Sequence, residues 1–160
     1  VNPVRIIGIG SPFGADTLGI MAAKRLSDSN LVDRFPPGTL SIRVCDRPGV
    51  GLLDEIRDAE LAILIDAARF GGHTGEIRRF TEKDIEGAVT VRSSHDLGVA
   101  ETLALGRSLA ALPPELVLYG IEIGPEGCPK GLDEITTEGI ASLKNAIEAD
   151  IGTYRQLTGH

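Results

Sequence analysis

Four residues of this chain combine reactive side chains with settings that suit chemistry: Asp16, Asp46, Asp66 and His95. Asp16 lies in IIGIGSPFGADTLGI, residues 6–20, where a short apolar run passes through Gly8 and Gly10 into a tight turn. From Gly19 the pattern Ile20, Ala23, Leu26 continues at helical spacing, so this stretch reads as strand, glycine turn and helix. Asp46 follows the alternating run Leu40–Val44 and Cys45, in a second turn that continues through Arg47, Pro48 and Gly49. Asp66 comes directly after Leu61-Ala62-Ile63-Leu64-Ile65, the strongest buried-strand signal in the chain, and His95 occurs in SSHDLG just before a helix. Two carboxylates and one imidazole on one sheet edge offer an O,O,N set with positions left open, which suits a divalent first-row metal. Each residue also has an ordinary structural role open to it. Asp66 can cap a turn by accepting backbone N–H bonds, and His95 can be one of several helix-start residues with Ser93, Ser94 and Asp96.

Other chemistries find less support in the sequence. The glycine turn departs from the dinucleotide pattern GxGxxG, because its last position is Phe13, and Asp46 is too far on to grip a ribose. There is no HExxH and no GxSxG elbow, and neither Cys45 nor Cys128 has zinc-site spacing. The two cysteines fit reduced thiols better than a disulfide framework. His73 and Glu122 read as solvated loop or edge residues.

The elements that must position the four residues follow from periodicity. After the first strand, a helix spans about Gly19 to Ser27, and a polar connection leads to the second strand at Leu40–Val44. A short helix covers Gly51–Arg57, then comes the strand Leu61–Ile65, expected to stop at Asp66 and give way to the loop ARFGGHTGE. Glu76–Phe80 alternates as an edge strand does, and a mixed polar connection runs on to Val89. A helix from Leu97 to about Leu112 ends at Pro113-Pro114, a last strand occupies Leu116–Ile121, and a final helix begins near Thr136. Strands alternating with helices imply a single α/β domain over residues 1–160, with a mostly parallel sheet covered on both faces. Asp16, Asp46 and Asp66 would then share the carboxyl edge of that sheet.

Composition sets the outer bounds. With 160 residues, 42% hydrophobic but only 4% aromatic and no Trp, the core must be aliphatic. A formal net charge of −7 argues against a nucleic-acid or anionic-membrane binder. No apolar run approaches the ~20 residues that cross a bilayer, and the opening VNPVRIIGIG lacks the features of a signal peptide. These observations point to a cytoplasmic protein.

Four segments, in order, resemble the hydrogenase maturation proteases, endopeptidases that trim the C-terminal tail of the nickel–iron hydrogenase large subunit. GIGSPFGADTLG is similar to the family's GxGN…D(D/E)xxG turn, and DRPGVGLLDEI to its DGGTxGxxLL segment. LAILIDAARFGGHTGEIRRF resembles the family strand that ends in a DA dipeptide, and SSHDLGVAETLALGRSLAALPPELVLYGIEIGPE its SxHxxG…LxGVEP block. The resemblance implies a three-layer α/β/α sandwich with a small, mostly parallel central sheet, in which an edge strand can run antiparallel. It implies metal ligands at Asp16, Asp66 and His95, and a catalytic role for Asp46 and Asp16. The metal would be nickel carried by the substrate, a hydrogenase large-subunit precursor, although other divalent ions could occupy the site; no nucleic acid or membrane partner is implied. An aspartyl-type endopeptidase is the expected activity. The alternatives are a non-catalytic nickel- or precursor-binding chaperone and a nucleotide-binding α/β enzyme. The chain departs from the family pattern at Ser11, Ala15, Arg47 and Pro48, the last two standing where the DGG glycines would be.

Overall fold

The aliphatic runs form the sheet and the amphipathic stretches cover it. The computed structural model describes residues 3–11, 17–47, 49–87, 92–93, 98–124 and 132–159. Among the described residues there are six strands: β1 (Val4–Gly10), β2 (Leu40–Asp46), β3 (Leu61–Arg69), β4 (Ile77–Thr81), β5 (Arg92–Ser93) and β6 (Glu115–Glu122). The helices are α1 (Leu18–Asp28), α2 (Val50–Ile56), α3 (Glu82–Gly87), α4 (Val99–Ser108) and α5 (Leu132–Thr158). The sheet order is β2-β1-β3-β6-β4, with β5 pairing the far end of β3. Strands β1, β2, β3 and β6 are parallel, while β4 runs antiparallel to β6 at one edge.

Alternation along the strands divides the core into two clusters, one on each face of the sheet. On one face Ile6, Ile63, Ile65 and Tyr119 meet Leu18, Ala22 and Leu26 of α1 and Leu143, Ile147 and Ile151 of α5. On the other, Ile7, Ile9, Leu64 and Leu118 meet Leu52, Leu53 and Ile56 of α2, Ile85 of α3, and Val99 and Leu103 of α4. The result is the expected α/β/α sandwich. Each fully buried Leu or Ile contributes about 1.5–3 kcal/mol, and β1 and β3 hold six such residues between them, at Ile6, Ile7, Ile9, Ile63, Leu64 and Ile65. Strand β2 exposes Arg43, Val44 and Asp46, as befits an edge strand.

Three local expectations need correction. Strand β3 does not stop at Asp66 but continues to Arg69. It extends because β6 pairs it through Ala68↔Glu122 and β5 adds a short antiparallel ladder through Ala68↔Ser93. The connection before Val89 contains α3, and the final helix starts at Leu132 rather than near Thr136. Although α5 is 27 residues long, no helix among the described residues is long and apolar enough to cross a membrane.

Candidate functional site

The carboxyl ends of β1 and β3 are pressed against the start of α1. A Cβ on Gly8 would lie 2.4 Å from the Gly19 carbonyl oxygen and 2.5 Å from the Ala23 methyl carbon. A Cβ on Gly19 would lie 2.2 Å from the Ile9 oxygen and 2.4 Å from the Ile65 oxygen. Only glycine allows backbone to approach backbone this closely. Gly19 therefore rests on the last peptide before Asp66, which sets the start of α1 at that end of β3.

Asp66 is 2% exposed and sits within β3, level with Gly120 of β6. Its side chain has an interaction partner. Asp46 is the last residue of β2, level with Gly10 of β1, and its side chain is 69% exposed. The two aspartates share the carboxyl edge but not a face. Cys45 and Leu64 belong to the cluster under α2 and α4, so alternation turns Asp66 toward that face and Asp46 toward the other. They are two strand spacings apart, about 10 Å between backbones. With the side chains also leaving opposite faces of the sheet, the arrangement separates Asp46 from any ion held by Asp66.

The turn after β2 carries strain. Arg47 has φ 75°, a left-handed conformation that side chains disfavour. It is held there by its N–H, which donates to the Gly10 carbonyl at 2.7 Å, and by the Cys45 thiol, which donates to the Arg47 carbonyl at 3.1 Å. Burial, together with the negative charges of Glu55 and Asp46, raises the Cys45 thiol above its ordinary value. A neutral, hydrogen-bonded thiol is a structural residue rather than a nucleophile. Arg47 Nε lies 3.9 Å from Asp46, but both side chains are 69% exposed, so this contact is weak.

Asp16 and His95 lie outside the described residues, as does Pro48. Their described neighbours are informative: Gly19 abuts the Ile65 carbonyl, and Ser93 is level with Ala68, two residues from Asp66. Among the described residues no three His, Cys, Asp or Glu side chains gather as a metal-holding group.

His73 is exposed, as the sequence suggests, but Glu122 is not the solvated residue expected. It is 2% exposed. Its carboxylate accepts the N–H groups of Phe70 at 3.2 Å and Gly72 at 2.8 Å through Oε1, and that of Gly124 at 3.4 Å through Oε2. The available signal was its place at the end of an unbroken apolar strand, the same setting that singled out Asp66.

Comparison with known proteins places this arrangement. The hydrogenase maturation protease family model (HycI) matches residues 48–149, a span that includes Asp66 and His95 and begins just after Asp46. The hydrogenase expression/formation protein HupD of Thiocapsa roseopersicina is 27% identical over 126 residues, 74% of this chain and 53% of its own length. The chain spans about half the length of the curated relatives it matches. Among solved structures, the [NiFe] hydrogenase maturation protease HycI of Thermococcus kodakarensis KOD1 superposes with a TM-score of 0.65 at 19% identity, covering 92% of this chain and 93% of that one. The hydrogenase maturating endopeptidase HybD of E. coli gives 0.55 at 16% identity, covering 89% and 93%. These two structures share the fold, and the family match extends over more than half of the sequence. The chain belongs to the hydrogenase maturation protease family.

Proposed function

We propose that this chain is an endopeptidase that removes the C-terminal extension of a [NiFe]-hydrogenase large-subunit precursor, and that it reads the nickel already held by that precursor. Asp66, Asp16 and His95 bind the substrate's nickel, and Asp46 serves as general base for hydrolysis. The observation that carries this reading is a convergence on the end of β3. Gly19, three residues after Asp16, packs on the Ile65 carbonyl, and Ser93, two residues before His95, pairs with Ala68. Gly19 and Ser93 are thus described anchors close in sequence to Asp16 and His95, and both stand at the Asp66 end of β3. The exposure of Asp46 and its distance from Asp66 suit a division of labour in which the metal positions the tail and the second carboxylate handles the proton.

The test is cleavage of the precursor from the same source, with and without nickel loaded, read by intact mass. Nickel-dependent loss of a short C-terminal peptide is expected. Asp66→Asn and His95→Ala should lose nickel-dependent capture of the precursor. Asp46→Asn should retain capture while kcat falls by about 10²–10⁴. Cleavage by His95→Ala at the wild-type rate would overturn the ligand assignment. Nickel-dependent binding without cleavage would instead identify a precursor-binding chaperone, a reading the replacement of the DGG glycines by Arg47 and Pro48 keeps open.

A further inference from the structure

We propose that Glu122 is a positioning residue of this site: its buried carboxylate fixes the β3–β4 loop, residues 70–76, as a wall against which the precursor's tail docks. The inference rests on the peptidase reading above. The loop contains Gly71, Gly72 and Gly75, with φ 80° at Gly71 and 88° at Gly75, so by composition it has little stiffness of its own. Beside the turn bond from Glu76 N–H to the His73 carbonyl at 2.8 Å, Glu122 ties down both ends of the loop. The Glu122 carboxylate takes the Phe70 and Gly72 N–H groups at the start of the loop. Its backbone closes the other end, donating its N–H to the Glu76 carbonyl at 2.9 Å and accepting from Gly75 N–H at 2.8 Å.

The location links this clasp to the site. Glu122 is level with Ala68, which is also level with Ser93 of β5 and two residues from Asp66. Alternation along β3 and β6 puts Asp66 and Glu122 on the same face of the sheet. Because three backbone N–H groups already occupy its carboxylate, Glu122 is not another metal ligand. Its effect passes through the loop, whose tip, His73 and Thr74, is exposed at the carboxyl edge where an extended peptide would approach.

Glu122→Leu keeps the approximate size but removes every acceptor facing the N–H groups of Phe70, Gly72 and Gly124. Amide exchange at Phe70 and Gly72 should accelerate about tenfold or more, and KM for the nickel-loaded precursor should rise about tenfold, with kcat within about twofold. Ile151→Ala, in α5 on the opposite face, is the control for general destabilisation and should leave KM unchanged. A second variant that leaves the clasp intact, His73→Gly with Thr74→Gly, should raise KM without lowering Tm, and it decides the matter if Glu122→Leu does not fold. Unchanged KM in a variant whose loop exchange has accelerated, or unchanged KM in the loop-tip variant, overturns the proposal while leaving the peptidase reading intact. A fall in kcat at constant KM also overturns it. Failure of the wild-type chain to cleave any precursor overturns the peptidase reading, and this inference with it.

Discussion

At the scale of single residues, the chain keeps a costly substitution at Arg47 and buries two carboxylates, Asp66 and Glu122. Arg47 occupies a left-handed backbone at a position where the family pattern has glycine. Relief of a left-handed side chain is worth about 1–2 kcal/mol, less the extra chain entropy that glycine loses on folding. Arg47→Gly should therefore raise the free energy of unfolding by about 1 kcal/mol in urea titrations, and a loss of stability would contradict the strain argument. The sequence shows this position as a departure from the pattern, but not the φ that gives the departure its cost. Asp66 is legible for a simple reason: a carboxylate after five apolar residues is unusual anywhere. Glu122 ends an equally apolar run, yet its partners are backbone N–H groups 50 and 52 residues away, which no local pattern encodes.

At the scale of elements, the long strands and helices follow from periodicity, while the missed helix had a local signal. Thr81-Glu82-Lys83-Asp84 is a capping box. Thr81 N–H donates to the Asp84 carboxylate at 2.9 Å, and Asp84 N–H donates to the Thr81 hydroxyl at 3.3 Å. The backbone bond from Thr81, followed by its side-chain bond, holds the Asp84 carboxyl below the ordinary range. A depressed carboxyl contributes stability that is complete above the unfolded value, about 3.9, and lost as pH falls through the folded one. Protection of the α3 amides, taken relative to their intrinsic exchange rates, should thus fall as pH drops below ~4, and Asp84→Asn should abolish that dependence. The α1 crossing gives a sharper forecast. Gly19→Ala would drive a methyl into the Ile9 and Ile65 carbonyls. It should cost about 1–3 kcal/mol or more, and it should impair precursor capture beyond what a matched loss of core stability causes, because α1 must withdraw from the end of β3. The glycine itself stands out in the sequence as the residue opening a helix, but the two strands it crosses emerge only from the fold.

At the scale of the whole molecule, the carboxyl edge of the sheet carries the candidate site, while the face covered by α5 carries structure. Tyr119 of β6 donates to Asp150 of α5, and Arg79 of β4 meets the same carboxylate at 3.0 Å. Burial and the Asp150 charge push the Tyr119 phenol well above its ordinary range. Tyr119→Phe should lower stability by about 1–3 kcal/mol, with precursor cleavage unchanged; a change in KM would mean that the two faces of the sheet are coupled. The three layers and the parallel sheet are legible from alternating strands and helices. The sheet order is not, because parallel strands pair through contacts distant in sequence. That order has a consequence for biosynthesis. Strand β1 lies in the interior of the sheet, and Glu122 belongs to the last strand to be made. A growing chain therefore carries Asp16, Asp46, Asp66 and His95 long before β6 can clasp the β3–β4 loop. On the ribosome, the cleaving competence proposed above would arrive late, only after β6 has been made and the sheet has closed.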